Sequence, residues 1–287
     1  MTIAEALREA AAALAATSDT ARLDAELLMA HALGVTRSDL LLRHMTDLAP
    51  VNFTPLLNRR LAHEPVAYIL GTQDFRGLSF LVTPAVLIPR GDSEVLVEAS
   101  LAARPDARRV LDCGTGTGAL LLAVLAELPD ASGVGIDCSL GALAVAAANA
   151  ARLGLAERAE MIRADWHEAG WSDGLGRFDL ILANPPYVET DAELAASVRA
   201  HEPAGALFAG AEGLDDYRVL IPQLPALLAP AGVALVEIGA TQAEAVTAIA
   251  QAAGFTATLH RDLAGRPRVL GLALQLQIPL GKPASTA

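Results

Sequence analysis

The protein is 287 residues long, and its composition, 53% hydrophobic and 19% charged, is typical of a globular protein with one substantial domain and a smaller one. The formal net charge of −12 argues against a protein that holds bare nucleic acid mainly by neutralising phosphates, whereas a basic partner or a small substrate fits it. Two cysteines and six scattered histidines provide neither a disulfide framework nor a zinc site, so we expect a reduced, cytoplasmic protein that binds no metal.

Residues 1–70 predict a small helical domain. Apolar residues recur at helical spacing in TIAEALREAAAALAA, TARLDAELLMAHALG, RSDLLLRHM and NFTPLLNRRLAHE, the last of which stops before Pro65. Charged residues interrupt the first of these helices, which therefore lacks the layout of a signal peptide. No uninterrupted run of about 18 apolar residues predicts a membrane span. A separate helical domain is a reasonable docking surface for a protein substrate.

Residues 71–90 predict a β-hairpin linker with turns at Arg76-Gly77 and Thr83-Pro84. From residue 91 to residue 278 strands and helices alternate, and residues 279–287 predict a disordered tail. The predicted strands span 108–114, 132–138, 159–165, 178–184, 232–239, 255–261 and 268–274, and the predicted helices span 119–127, 140–153, 214–228 and 242–252. Repeated strand-helix units imply an α/β fold with a mostly parallel sheet, helices on both faces and a ligand site beyond the C-terminal ends of the strands.

The first strand of this region runs into a glycine-rich loop, DCGTGTG. Its glycines allow tight turns and a close approach of the backbone to a ligand, and the next helix offers unpaired N–H groups. The candidate cofactor residues of the loop are Asp112, Gly114, Thr115, Gly116, Thr117 and Gly118. The loop also fits the dinucleotide pattern G-x-G-x-x-A, and Asp137, after the second strand, binds a ribose hydroxyl in either interpretation. Taken alone, the loop predicts a nucleotide-like ligand and no more.

Two further candidate cofactor residues lie at the end of the third strand. Asp165 can accept a hydrogen bond from an adenine amino group, and the indole of Trp166 can cover the adenine ring. Both therefore extend the predicted site towards the base of the ligand.

The fourth strand, FDLILAN, runs into Asn184-Pro185-Pro186-Tyr187, which predicts a clamp for a planar nitrogen group. An amide or aromatic amine nitrogen is a poor nucleophile because its lone pair is delocalised. The Asn184 side-chain oxygen and the Pro185 carbonyl can each accept one of its two N–H hydrogens and aim it at an electrophilic carbon. The prolines hold the turn rigid, and Tyr187 can stack on the flat group. The nitrogen becomes acidic only once it is alkylated, so the scheme requires no general base.

Together the motifs DxGxGxG, an acid closing the second strand and NPPY after the fourth resemble the S-adenosylmethionine-dependent methyltransferases that methylate nitrogen. Other segments resemble, more narrowly, the release factor glutamine methyltransferases, the PrmC/HemK family. These segments are EPVAYILGTQDFRGLSFLVTPAVLIPR with Glu94 soon after it, HEPAGALFAGAEGLDDYRVL, EIGATQ and DLAGRPRVL. The resemblance spans nearly the whole chain.

The resemblance implies a class I methyltransferase fold, which is Rossmann-like with a mostly parallel seven-stranded sheet, joined by a β-hairpin to a small helical N-terminal domain. It implies that S-adenosylmethionine donates the methyl group and leaves as S-adenosylhomocysteine. The implied substrate is the side-chain amide nitrogen of the glutamine in the GGQ motif of bacterial class I peptide chain release factors. We further expect a cytoplasmic monomer with no direct nucleic-acid partner and no membrane partner.

Carried onto this chain, the resemblance also implies the roles of individual residues. The cofactor residues are Gly114 to Gly118, Asp137, Trp166 and Asn184; the substrate residues are Asn184, Pro185, Pro186 and Tyr187, of which Asn184, Pro185 and Tyr187 are catalytic. Arg90 and Glu94 are expected close to the cofactor and substrate cleft. The family commonly has IPRPETE or IPRPDTE where this chain has IPRGDSE, so Gly91 and Ser93 are departures. We expect them to loosen the backbone without loss of activity.

Three classes of function remain open at this point. The first is glutamine methylation of release factors, or by a sibling family of a ribosomal protein; the sibling tends to have VPRSPI in place of IPRGDSE, which favours release factors. The second is adenine-amino methylation of DNA or RNA, which NPPY also serves after base flipping, although the net charge of −12 counts against it. The third is a non-catalytic or dehydrogenase-like cofactor module, against which the intact NPPY counts.

Overall fold

The computed structural model describes residues 1–275. The predicted tail, residues 279–287, lies outside the described residues, and so do residues 276–278 at the end of the predicted α/β region. The described chain forms a helical N-terminal part, a β-hairpin and a larger α/β part.

Short helices form the first part of the chain, as the apolar periodicity predicts. They are α1 Ile3–Leu14, α2 Ala21–Leu33, α3 Arg37–Asp39, α4 Phe53–Leu61 and α5 Val66–Leu70. Helix α1 begins with a capping box, in which the Thr2 hydroxyl accepts from the Glu5 N–H and the Glu5 carboxylate accepts from the Thr2 N–H. Helix α2 ends at Gly34, whose left-handed φ of 69° suits glycine. Apolar side chains of α1, α2, α4 and α5 share one core.

Two details of this part differ from the predicted helices. The stretch RSDLLLRHM forms only α3 before it widens into a π-helical turn, Leu40–His44. Helix α5 is a further element that the sequence analysis did not predict. It begins directly after Pro65, whose extended backbone stands at the N-cap position and separates α5 from the end of α4.

The predicted hairpin is present, with strands that are shorter than the predicted linker. Strands β1 Thr72–Phe75 and β2 Leu78–Leu81 pair in an antiparallel manner around Arg76 and Gly77, which both have left-handed φ values, 48° and 74°. Residues 82–90 form no strand. They continue along the edge of the α/β part, where residues 85–90 line the cavity described below.

The α/β part contains a seven-stranded sheet, which confirms the predicted mostly parallel sheet. Its strands are β3 Arg109–Cys113, β4 Ser132–Asp137, β5 Ala159–Arg163, β6 Phe178–Ala183, β7 Leu228–Glu237, β8 Phe255–Arg261 and β9 Pro267–Leu274. Their spatial order is β5-β4-β3-β6-β7-β9-β8, in which β3 to β7 are parallel and β9 is antiparallel to both of its neighbours.

Helices cover both faces of this sheet. The helices of this part are α6 Glu94–Ala103, α7 Ala119–Glu127, α8 Leu140–Arg152, α9 Ala196–His201, α10 Asp215–Leu220, α11 Leu224–Leu227 and α12 Ala243–Ala252, of which α9 has no buried residue. The central strand β6 is buried on both sides, because Leu180 and Leu182 pack in one apolar cluster and Ile181 and Ala183 in the other.

Two helices of the α/β part correct the sequence analysis. The predicted helix 214–228 is broken into α10, a 3-10 turn at Ile221–Gln223 and α11, because Pro222 and Pro225 each remove a helical N–H donor. Helix α6 was not predicted, although Leu96, Val97 and Ser100 give it a buried face at helical spacing.

A single buried side chain ties the hairpin to the glycine-rich loop. Asn149 on α8 is fully buried; its Oδ1 accepts from the Leu81 N–H at 2.7 Å, and its Nδ2 donates to the Leu81 carbonyl at 3.0 Å and to the Thr117 carbonyl at 2.9 Å. The loop therefore depends on a polar residue more than 30 positions away in the chain.

We expect Asn149→Ala to lower the free energy of unfolding by about 2–4 kcal/mol, because it leaves one buried and two half-buried backbone groups without their partner. Urea denaturation monitored by circular dichroism measures the change. Asn58→Ala, at an exposed position of α4, is the matched control and should stay within about 0.5 kcal/mol of the unmodified protein. Equal stabilities of the two variants would show that the Asn149 hydrogen bonds do not stabilise the fold.

Candidate active site

A cavity of about 280 Å³ lies beyond the C-terminal ends of β3, β4, β5 and β6. The parallel register brings these ends together: Cys113 at the end of β3 pairs with Ile136 on β4 and with Ala183 on β6. The residues that follow the four strands therefore meet at one edge of the sheet, as expected for a fold of this type. Residues 85–90 form another wall of the cavity.

The glycine-rich loop forms the floor of the cavity, which Gly114 to Thr117 line. The N–H groups of Gly114 and Thr115 both donate to the Ile136 carbonyl, at 2.9 and 2.8 Å. Gly114 has a φ of 75°, and a Cβ there would lie 3.2 Å from Cη2 of Trp166, so a side chain at this position has neither the backbone conformation nor the space. Gly118 does not line the cavity; with a φ of 79° it is the N-cap of α7.

Asp112 lies behind the loop and not in the cavity wall, which corrects the expectation that it contacts a cofactor. It is fully buried, and its Oδ2 accepts from the Thr115 hydroxyl at 2.7 Å while Oδ1 has no partner among the described residues. Burial raises the pKa of Asp112 to about 7 despite the Thr115 hydrogen bond. The Asp112 carboxyl group therefore helps to fix the conformation of the loop from the side that faces away from the cavity.

Asp137 lies in the wall of the cavity, at the end of β4. Its Oδ1 accepts from the Ser139 N–H at 2.9 Å and its Oδ2 from the Gly116 N–H at 3.0 Å, so the carboxylate is held between the loop and the start of α8. Burial raises its pKa, and these two backbone hydrogen bonds act in the opposite direction. A carboxylate fixed in this way can accept hydrogen bonds from the two hydroxyls of a ribose.

Asp165 and Trp166 also line the cavity, directly after β5, the strand that neighbours β4. The Trp166 indole packs on Gly114, and its Nε1 donates to Oδ1 of Asp216 at 2.9 Å. Asp165 Oδ1 accepts from the His167 N–H at 2.9 Å and lies 3.0 Å from His167 Nδ1; the backbone hydrogen bond is the main reason that its pKa is lowered. This wall offers a flat aromatic face beside a carboxylate, which suits a purine.

The sequence analysis missed Asp216, which is buried and orients the Trp166 indole. The available signal was its position within HEPAGALFAGAEGLDDYRVL, a segment that carries the family resemblance. Its role depends on a partner 50 positions away, so the segment alone does not reveal it.

Asn184 and Pro186 line the cavity, whereas Pro185 is buried and Tyr187 is half-buried beside it. Asn184 is half-buried where it lines the cavity, so its side-chain amide is accessible to a ligand. The Tyr187 carbonyl accepts from Nε2 of Gln242 at 3.0 Å. The exit of the Asn184-Pro185-Pro186-Tyr187 segment is therefore fixed in place.

Gln242 is a second residue that the sequence analysis missed. Besides Tyr187, its Nε2 donates to the Gly213 carbonyl at 3.1 Å, and its Oε1 accepts from the Gly239 N–H at 3.0 Å. A Cβ at Gly213 would lie 2.3 Å from the Tyr187 carbonyl oxygen, so glycine is required where these segments meet. The only signal for Gln242 in the sequence was its position at the end of EIGATQ, one of the segments that carry the family resemblance.

Arg90 and Glu94 were both expected near the cleft, and the two side chains have different contacts in the structure. Arg90 lines the cavity and forms an ion pair with the buried carboxylate of Glu202, which also accepts from the Ile88 N–H at 3.2 Å. Glu94 is not among the residues that line the cavity; its Oε1 accepts from the Arg76 N–H at 3.1 Å at the hairpin turn, beside Phe75 and Ser93, which do line it.

The departure IPRGDSE forms a 3-10 turn, Gly91–Ser93, that leads into α6. Gly91 is exposed, and a Cβ there would meet no atom within 4 Å, so no contact depends on its being glycine. Asp92 lies 2.9 Å from Arg268 on β9, and Ser93 lines the cavity. Asp92 therefore anchors the turn to β9, and Ser93 places its other side at the cavity.

Residues 1–275 contain neither a metal-binding cluster nor a membrane-spanning helix. No group of three or more His, Cys, Asp or Glu side chains in this range is arranged to hold a metal ion. In the same range, no helix has the length and apolar character needed to cross a membrane.

Known proteins resemble this chain over most of its length. Residues 5–71 match the family model PrmC N-terminal domain, and residues 105–254 match the model Methyltransferase domain. The release factor glutamine methyltransferase of Cereibacter sphaeroides is 45% identical over 282 residues, which cover 96% of this chain and 99% of the relative. That of Geobacter sulfurreducens is 43% identical over 261 residues, 88% of this chain and 89% of the relative. A solved methyltransferase from Pyrococcus furiosus, 14% identical, matches the fold with a TM-score of 0.50 over 77% of this chain and 100% of that chain.

We expect Asp112→Asn to flatten the dependence of stability on pH. The folded pKa of Asp112, about 7, lies above its ordinary value of 3.8, so its contribution to stability is complete below the ordinary pKa and is lost as the pH rises through the folded value. Between about pH 5 and pH 8 the variant should gain about 1–3 kcal/mol relative to the unmodified protein. Urea denaturation at the two pH values measures this; Asp130→Asn, at an exposed position, should show no such gain.

Proposed function

Since the chain belongs to the release factor glutamine methyltransferase family and uses S-adenosylmethionine to methylate glutamine, we propose that its target is the glutamine of the GGQ motif in bacterial class I peptide chain release factors. One observation carries the proposal: the accessible Asn184 amide faces the same cavity as the glycine-rich loop. A methyl donor on the loop and an amide held by Asn184 would then be close enough to react.

The proposed clamp consists of Asn184, Pro185, Pro186 and Tyr187. The Asn184 side-chain oxygen and the Pro185 carbonyl accept the two N–H hydrogens of the substrate amide, which aims its nitrogen and favours a pyramidal geometry. When bound, S-adenosylmethionine supplies an electrophilic methyl group. The Tyr187 ring packs on the flat amide, and the proton leaves the alkylated nitrogen through Asn184 Oδ1 or water.

The residues of the cavity wall fit the nucleoside part of this cofactor. Asp137, held by the Gly116 and Ser139 N–H groups, accepts from the ribose hydroxyls. Trp166, held by Asp216, covers the adenine, and Asp165 accepts from the adenine amino group. The loop from Gly114 supplies backbone that can approach closely because Cβ atoms are absent.

We assign the helical part, residues 1–70, to docking of the release factor. Two contacts support this role: the Tyr68 hydroxyl donates to the Val86 carbonyl at 2.6 Å, and His201 Nε2 lies 3.4 Å from the Ala62 carbonyl. Both join the helical part to segments beside the cavity, so a protein bound there can reach the clamp. We further propose that the protein acts as a monomer in the cytoplasm.

Mass spectrometry tests the proposed target. A bacterial release factor from cells unable to methylate it is incubated with this protein and S-adenosylmethionine. We expect one added methyl group, mapped to the glutamine of GGQ. A folded release factor that stays unmodified, beside a methylated ribosomal protein or nucleic acid, would replace the proposed target with one of those substrates.

We expect Asn184→Ala to abolish methyl transfer while cofactor binding largely persists, because the variant loses one of the two acceptors that hold the amide. Methylation is followed with labelled cofactor and binding by calorimetry. Asp130→Ala, at an exposed position before β4, is the control and should be fully active. Unchanged methylation by Asn184→Ala would rule out the clamp.

We expect Asp137→Ala to weaken cofactor binding by a few kcal/mol at most, through loss of the charged hydrogen bonds to the ribose. Calorimetry measures the affinity, with the exposed Asp130→Ala as a control that should not change it. An unaltered affinity of Asp137→Ala would remove this residue from the cofactor site.

A further inference from the structure

The cavity wall carries one permanent positive charge, the guanidinium of Arg90, which has no role in the scheme above. Among the described residues, Arg90 is the only lysine or arginine that lines the cavity, whereas the aspartates Asp137, Asp165 and Asp216 also line it. Carboxylates in a cleft disfavour a further negative charge nearby, and a cation favours one. Arg90 therefore marks the part of the cavity that is best suited to an anionic group of a ligand.

Glu202 fixes the position of Arg90. The Glu202 side chain is 1% exposed and does not line the cavity; its Oε1 accepts from Nη2 of Arg90, and its Oε2 accepts from the Ile88 N–H at 3.2 Å. The Arg90 side chain, in contrast, is 41% exposed. A guanidinium presents several N–H donors in a planar fork, so Arg90 can keep its bond to Glu202 and donate to a ligand from the edge that is exposed.

The wall that carries Arg90 runs from α8 to a segment that is joined to the clamp. At its start, a Cβ at Gly141, near the beginning of α8, would lie 3.0 Å from the Ala85 Cβ. At its end, Arg90 contacts Glu202, which comes directly after α9. The Val188 N–H, directly after the clamp, donates at 2.8 Å to a carbonyl of the segment that follows Glu202. Arg90 therefore lies at the clamp end of this wall.

The strand order gives the proposed cofactor a direction across the cavity. The ends of the strands lie in the order β5, β4, β3 and β6. In the arrangement proposed above, the adenine lies after β5 and the ribose after β4, because Trp166 and Asp137 stand at those positions. The amino-acid part of S-adenosylmethionine then extends towards β3 and β6, the side on which Asn184 leaves the sheet. Its carboxylate, the negative group of the cofactor, therefore approaches the clamp end of the wall.

The glycine-rich loop has few N–H donors left for this carboxylate. The N–H groups of Gly114, Thr115 and Gly116 donate to groups of β4, at 2.9, 2.8 and 3.0 Å. That of Gly118 donates to the Thr115 carbonyl at 2.7 Å. Charge-assisted hydrogen bonds from a cation stabilise a carboxylate best, and Arg90 is the residue of the cavity wall that can supply them.

We propose that Arg90 binds the carboxylate of S-adenosylmethionine at the clamp end of the wall. The inference rests on the placement of the cofactor in the proposed function and is independent of the protein that receives the methyl group. Asp137 at the ribose and Arg90 at the carboxylate then hold the cofactor on both sides of the sulfur that carries this methyl group. The bond to Glu202 gives Arg90 a fixed position before the cofactor binds.

Two ligands that differ only in the carboxylate test this role, S-adenosylmethionine and its decarboxylated form. We expect Arg90→Met to lower the affinity for S-adenosylmethionine about tenfold, because the carboxylate loses a charge-assisted hydrogen bond at a partly exposed site. The affinity for the decarboxylated form should not fall, because that ligand has no group for the guanidinium to hold. Calorimetry without any protein substrate measures both affinities.

Two further variants serve as controls. Arg152→Met changes an exposed arginine at the end of α8, so both affinities should stay within about twofold of those of the unmodified protein. In Arg90→Met combined with Glu202→Gln, no unpaired charge remains at the ion pair, and the glutamine oxygen can still accept from the Ile88 N–H. This double variant should show the same selective loss of affinity for S-adenosylmethionine.

Equal losses for the two ligands, or an unchanged affinity of Arg90→Met for S-adenosylmethionine, would overturn the role of Arg90. An unchanged affinity together with a raised KM for a release factor would assign the arginine to the protein substrate instead. If Arg90→Met fails to fold, the double variant decides the question by the same comparison. Failure of the unmodified protein to methylate any release factor would reject the proposed target alone, since the binding experiment contains no protein substrate.

Discussion

The site depends on the parallel pairing of β3 with β4 and β6. Because Cys113 pairs with Ile136 and Ala183, the glycine-rich loop, Asp137 and Asn184 leave the sheet at one level and meet around one cavity. The central strands are held in this register by burial on both faces, since a slip of one residue would exchange the two faces of β6. Packing of the apolar side chains of these strands thus sets the distance between the glycine-rich loop and Asn184, although none of those side chains lies in the cavity wall.

Buried polar side chains connect the segments around this sheet. Asn149 joins the hairpin to the glycine-rich loop, Glu202 holds the wall formed by residues 85–90, and Asp216 orients Trp166. Gln242 holds the carbonyl at the exit of the clamp. These four side chains have hydrogen-bond partners for most of their polar atoms. Buried polar groups that are paired in this way favour a single arrangement of the segments that they connect.

The sequence predicted the sheet and the principal walls of the site because their signals are local. Apolar runs mark the buried strands, glycines mark the loop, and two prolines mark the clamp. The residues that it missed act through partners far away in the chain: Asp216 accepts a hydrogen bond from Trp166, and Gln242 donates one to the Tyr187 carbonyl. A pattern within one segment does not reveal such a contact. The predicted helix 214–228 failed for a different reason: its apolar spacing is helical, but Pro222 within it interrupts the helix.

The fixed exit of the Asn184-Pro185-Pro186-Tyr187 segment bears on which molecule would lose freedom on binding in the proposed complex. The Tyr187 carbonyl is already bonded to Gln242, and the prolines leave the preceding backbone few alternatives. The entropy of ordering the enzyme's side of the contact is therefore lost during folding and not at each encounter. A glycine-rich substrate loop would then become ordered against a rigid template, so differences in loop flexibility between substrates would appear directly in their affinities.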